Sequence, residues 1–183
     1  MLSDTRTEEQ FEGIIDICRD IFLSKMKDYG TAWRILRAPS ITDQIYIKAQ
    51  RIRSIEDKGS QRIEEGIRPE FIGIVNYSVI ALIQLELGTE TNLSLSQEEG
   101  TALYDKYIYG ARDLMLNKNH DYGEAWRNMR LSSLTDIILM KILRIKQIED
   151  NRGKTFISEG VDANFYDMIN YAIFALIKME YEN

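Results

Sequence analysis

Charged side chains recur along this chain at helical spacing, on faces that otherwise carry core residues. Between Thr42 and Asp57, steps of three and four residues put Lys48, Arg51, Ile52 and Ile55 on one helix face. Lys141, Arg144, Ile145 and Ile148 form the same stripe further on. An unpaired lysine or arginine in a core costs on the order of several kcal/mol, against a whole-domain stability of about 5–15 kcal/mol. These cations therefore need carboxylates or a bound anion. One arrangement has their stems snorkelling at the edge of the stripe, with local salt bridges. The other is a site for a bound anion, favoured because both basic residues recur in the two stripes, beside the acidic pairs Glu56-Asp57 and Glu149-Asp150.

Asparagine adds a second signal. Asn76 interrupts the apolar run Phe71 to Ile83, and Asn170 interrupts its counterpart. A buried amide without a partner costs about 1–3 kcal/mol, so each must bond either a neighbouring helix, fixing register, or a ligand. Asp167 stands three residues before Asn170 and shares its face, whereas the matching earlier position is Gly73. Glu159 and Asp162 lie just upstream of Asp167. Clustered oxygen ligands of this kind suit Mg²⁺, which also binds substrate phosphates; ordinary acidity at a helix start is the metal-free reading.

The string Asp28-Tyr29-Gly30-Thr-Ala-Trp33 returns as Asp121-Tyr122-Gly123-Glu-Ala-Trp126. Its glycine permits a tight backbone turn. The aromatics serve either as core anchors or as stacking surfaces for a base. Lys25 and Lys118, three residues before each Asp, complement a helix C-terminus or reach a phosphate. His120 is the only histidine and its counterpart is Lys27, which excludes a proton shuttle common to both copies.

All these residues belong to one duplication. Positions from Lys25 to Asp57 recur 93 residues later, and those from Glu65 to Ile83 recur after one inserted residue. Such self-similarity governs the fold. Two prolines and long 3.6-residue periodicities favour helix throughout. A first helix is expected from the capping box near Thr7, ending at Tyr29-Gly30; a second is announced by Thr42-Asp43 and runs to about Asp57. A third has Pro69 in its first turn and ends near Gly88. Ser96-Gln-Glu-Glu99 opens the second round. The expectation is an all-α, pseudo-twofold helical bundle of two three-helix repeats, residues 1–88 and 97–183, joined by a linker at 89–96 and packed as one compact unit.

Composition narrows the function. The 183 residues carry a net charge of -6, which argues against a general nucleic-acid surface but leaves room for a local basic pocket. Cys18 is the only cysteine, no charged-then-apolar leader is visible, and the apolar run of the third helix is broken by Asn76 and Gln84. These features read as a cytoplasmic protein without a membrane span. Gly-rich phosphate loops, zinc-type clusters and serine-nucleophile signatures are missing.

Lys-x-x-Asp-Tyr-Gly-x-Ala-Trp, then Asp-x4-Lys-x2-Arg, then Glu-x7-Asp-x2-Asn-Tyr-Ala resembles the nucleotide modification associated domain 1 family across most of both halves. The helical, acid-rich pattern is also similar to MazG-type nucleoside triphosphate pyrophosphohydrolases, whose acidic helical pairs hold Mg²⁺; Glu159-Gly-Val-Asp162 fits one such pair. The resemblance implies Lys118, Asp121, Tyr122, Lys141, Arg144, Glu159, Asp167 and Asn170 as site residues in the second half. In the first half it implies Lys25, Asp28, Tyr29, Lys48, Arg51, Glu65 and Asn76, with an acid lost at Gly73, so that half is expected to be partly degenerate. The leading expectation is Mg²⁺-dependent hydrolysis between the α and β phosphates of a nucleoside triphosphate or a similar diphosphate-containing metabolite. Glu159 and Asp167, with Glu149 or Asp150, would hold the metal, and Lys141 and Arg144 would neutralise developing charge. The alternative is a non-catalytic nucleotide-binding or assembly module. Because MazG-like bundles often arise by dimerisation, a homodimer is one further expectation.

Overall fold

The computed structural model describes residues 2–59, 63–89, 94–155 and 160–182, and every long element among them is α-helical. Repeat 1 comprises α1 (Leu2–Tyr29), α2 (Ala38–Lys58) and α3 (Ile63–Leu87); repeat 2 comprises α4 (Gln97–Tyr122), α5 (Leu131–Asp150) and α6 (Val161–Tyr181). A tight 3-10 turn follows the first helix of each repeat, Ala32–Ile35 and Ala125–Asn128. Gly30 and Gly123 lead into these turns at φ 61 and 65, values that a side-chain-bearing residue adopts only with strain. The all-α tandem architecture expected from the duplication is thus what the chain adopts.

Three helix starts differ from the sequence-based expectation. α1 begins at Leu2, and Thr7 lies buried inside it, its hydroxyl accepting from Arg127 Nη2 at 2.7 Å instead of capping. α2 begins one turn earlier than Thr42, at Ala38, with Pro39 supplying a first-turn residue that needs no amide donor. α3 begins at Ile63 and so holds Pro69 inside it. The missing bond falls on the carbonyl of Glu65, which is exposed, so water can satisfy it. At Ser96, by contrast, the full reciprocal capping box with Glu99 is present.

Helices α3 and α6 pack together at the centre, α2 and α5 flank them and each other, and α1 and α4 lie across the pair. Val75, Val79 and Ile83 of α3, and Ile169, Ile173 and Ile177 of α6, are all sealed from solvent. Among the described residues, Glu65–Leu87 is the one stretch long and apolar enough to cross a membrane, and most of it is buried inside this bundle.

Reciprocal contacts reveal the pseudo-dyad. Arg19 donates to Asp105 through two nitrogens at 2.7 and 3.0 Å, and the equivalent Arg112 bonds Glu12. Lys146 pairs with Asp43 at 3.0 Å, as Arg53 does with Asp136 at 3.7 Å. Thr42 donates to Glu149 at 2.6 Å, and the Thr135 hydroxyl stands near enough to Glu56 to lower its carboxyl. Residue i meeting j while j meets i is the signature of an isologous, two-fold contact. The polar residues that both repeats share near α2 and α5 are therefore, in part, the seam between the repeats.

A cation-lined cavity in the first repeat

The 3-10 turn brings Trp33 back against α1 and α3. Gln84 fixes that turn, donating to the carbonyls of Arg34 and Leu36 at 2.9 and 2.8 Å, while the Arg34 guanidinium bonds the Gln84 side chain and the Gly88 carbonyl. Between the turn and the helices lies a cavity of about 540 Å³, well inside the range of small-molecule sites, roughly 300–1,000 Å³. Its walls carry Lys25, Lys48 and Arg68 and, among the described residues, not one carboxylate. Phe22, Tyr29, Trp33 and Tyr77 supply aromatic surface, and Asn76 and Gly73 complete the floor beside α3. Tyr29 is 74% exposed and Ile35 70%, so the rim presents apolar surface to solvent.

Among the cations, Lys25 is exposed and pairs with no carboxylate among the described residues. Lys48 stands 5.7 Å from the centre of the Tyr77 ring and 3.6 Å from Glu70 Oε2. Glu70, the acid nearest the cavity's lysine, escaped the sequence reading because its repeat-2 counterpart is Asn164. It also meets Arg51 at 3.3 Å, but the Arg51 side chain is 65% exposed and points away from the core. Arg68 lies 3.6 Å from Glu180. Asn76 has little capacity left for a guest: its amide donates to the Cys18 carbonyl at 3.1 Å, and its carbonyl accepts the Tyr104 hydroxyl at 2.8 Å. This is the register-fixing role open to it from the sequence.

In repeat 2 the same framework is filled. Asp167 stands in place of Gly73 and accepts Lys118 at 2.7 Å and Lys141 at 2.9 Å, one oxygen each. Burial pushes its carboxyl up, but the two ammonium groups outweigh burial and hold it below the usual aspartate value. Phe174 replaces Ile80 and lies flat on Trp126, ring centres 4.3 Å apart, leaving that tryptophan 5% exposed. Tyr166 replaces Ile72, and Asp162 replaces Arg68. Asn170 keeps its place but loses a partner: Phe11 stands where the pseudo-dyad would put Tyr104, and Asn170 Oδ1 is buried without a hydrogen bond.

Apart from Tyr29 at the cavity rim, the other expected site residues are dispersed. Arg144, Asp150, Asp28, Tyr29, Asp121 and Tyr122 are exposed, with Asp121 paired only to His120 at 3.3 Å. Glu149 faces Thr42 across the repeat seam, where burial raises its carboxyl above the ordinary value and the Thr42 hydroxyl partly offsets this. Glu159 lies outside the described residues. Among those described, no three His, Cys, Asp or Glu side chains gather as a metal site, and both oxygens of Asp167 are occupied by lysines. The expected Mg²⁺ ligand set is thus reduced among the described residues to carboxylates that already have protein partners or stand apart, with Glu159 outside them. In repeat 1, Gly73, Ile72 and Ile80 stand where repeat 2 carries the larger or charged Asp167, Tyr166 and Phe174, and the end of Lys48 lies over Gly73.

A family model, nucleotide modification associated domain 1, matches residues 25–85 and 118–179, about two thirds of the chain. The two segments coincide with the two repeats, and the chain belongs to that family. No curated protein and no solved structure matches it.

Proposed function

We propose that this tandem member of the nucleotide modification associated family binds a nucleotide in the cavity of repeat 1. The observation that carries the reading is the lining itself: three cations, four aromatic rings and, among the described residues, no carboxylate around about 540 Å³. Cations without a matching wall of acids suit phosphate, and exposed aromatic rims suit a base, whose stacking contributes about 1–3 kcal/mol in nucleic-acid sites. The family's name points to the same chemistry. Lys25 and Lys48 would hold the phosphates, and Tyr29, Trp33 or Tyr77 would meet the base.

Binding, the non-catalytic alternative of the sequence reading, is favoured over pyrophosphate hydrolysis. Asp167, Glu149 and Asp150, the described acids assigned to hydrolysis, lie outside the cavity lining, and Asp167 and Glu149 already have protein partners. The test is a thermal-shift series with ATP, ADP and adenosine, each with and without Mg²⁺. Bound ligand raises the melting temperature by mass action. ATP and ADP should stabilise the protein, adenosine should not, and the Lys25→Ala, Lys48→Ala double variant should abolish the shift. A panel of nucleotides over all common bases that leaves the melting temperature unchanged would refute the reading.

A further inference from the structure

The two repeats place equivalent lysines around equivalent points on their last helices. In repeat 2, Lys118 and Lys141 converge on the Asp167 carboxylate at 2.7 and 2.9 Å. In repeat 1 the equivalents, Lys25 and Lys48, line the cavity together with Gly73, the residue in the place of Asp167. From this we infer that the phosphate of a bound nucleotide occupies in repeat 1 the position that the Asp167 carboxylate occupies in repeat 2. Repeat 2 is then permanently occupied by an anion of its own chain, and the protein binds one nucleotide per chain. This inference rests on the nucleotide reading above and assigns the phosphate's place within that site.

Three observations converge on it. Lys25 pairs with no described carboxylate, and Lys48 meets Glu70 only at 3.6 Å, longer than a charge-assisted hydrogen bond, about 2.7–2.9 Å. Gly73 is no neutral gap, because a Cβ built there would stand 2.7 Å from Lys48 Cε and 3.1 Å from its ammonium nitrogen. The end of Lys48 thus lies over Gly73, on the side from which a side chain at that position would project. Finally, the substitutions around that point run in one direction. Arg68 becomes Asp162, Ile72 becomes Tyr166 and Ile80 becomes Phe174 in repeat 2, which removes positive charge and open volume from the repeat that supplies its own anion.

The arrangement makes each repeat convertible. Gly73→Asp supplies repeat 1 with the internal anion, and what the new Cβ meets is the far end of the Lys48 side chain, not backbone. Asp167→Gly removes the carboxylate that bridges Lys118 and Lys141 in repeat 2, while Phe174 stays stacked on Trp126 where a base would lie. The experiment is titration calorimetry with ADP and, separately, with inorganic diphosphate. Wild type should bind one of either, in competition. Gly73→Asp should lose at least 30-fold in affinity for both while melting at or above the wild-type temperature. Asp167→Gly should still bind one ADP but two diphosphates, a gain that misfolding cannot produce. A single diphosphate site in Asp167→Gly, or wild-type ADP affinity in Gly73→Asp, overturns the inference while leaving the nucleotide reading intact. No ADP binding by wild type removes the nucleotide reading, and this inference with it.

Discussion

Repeat 1 and repeat 2 share a lysine pair, a tryptophan turn and an inward asparagine, yet they use them differently. In repeat 2 the pair closes on Asp167 and the tryptophan lies under Phe174. In repeat 1 the same groups border an open cavity. The difference teaches that residues kept through a duplication need not be kept for one purpose. Reciprocal pairs such as Arg19–Asp105 and Arg112–Glu12 serve the seam, and one copy of the remaining polar set is paired within the protein while the other borders a cavity.

The sharpest way to break this comparison is at the tryptophans. Trp126→Ala removes a buried ring stacked on Phe174 and should cost about 3–5 kcal/mol in urea unfolding, the usual range for a core aromatic. Trp33→Ala, at a half-buried ring beside the cavity, should cost no more than about 2 kcal/mol and weaken ADP binding about tenfold. Equal stability losses would erase the distinction. The lysines come next. Lys141→Met leaves the largely buried Asp167 with half its compensation and should destabilise by about 3 kcal/mol. Lys48→Met removes a longer, more accessible contact and should cost about 1 kcal/mol or less.

Much of the scaffold was legible beforehand, because duplication and 3.6-residue periodicity report directly on helices and their faces. Thr7 and Thr42 misplaced helix starts because a hydroxyl that looks like a cap was engaged by Arg127 and Glu149 from the other repeat, which no local window contains. Lys25, Lys48, Tyr29 and Asn76, named from the sequence, border the cavity of repeat 1. The cavity itself was not legible, because its walls come from α1, the 3-10 turn, α2 and α3 together, which no local window contains. Glu12, Arg19, Asp105 and Arg112 recur 93 positions apart with their charges kept, and that signal would have exposed the α1–α4 seam.

Smaller effects refine the picture. Phe11→Tyr should give Asn170 Oδ1 the donor that Tyr104 gives Asn76, raising stability by about 1 kcal/mol; an unchanged or lower unfolding midpoint would argue against the pseudo-dyad equivalence. The weakest effect concerns pH. Burial raises the Glu56 and Glu149 carboxyls, opposed by the Thr135 and Thr42 hydroxyls. The native protein thus holds these protons more tightly than the unfolded chain, and that contribution to stability declines as pH rises through the raised values. Asp167 has the opposite sign: its contribution is present above the ordinary 3.8 and is lost as pH falls through its depressed folded value. The Glu56→Gln, Glu149→Gln double variant should therefore melt about 2 °C higher at pH 7 and keep its loss of stability in strong acid. A steeper dependence between pH 5 and 7 than wild type would contradict this.

With only two tryptophans in the chain, one measurement reaches the central claim directly: the indole N–H resonances of ¹⁵N-labelled protein during titration with ADP. The Trp33 signal should move progressively to saturation at one equivalent while the Trp126 signal stays in place. Movement of Trp126 alone, or stillness of both at millimolar ADP, would contradict a nucleotide site in repeat 1.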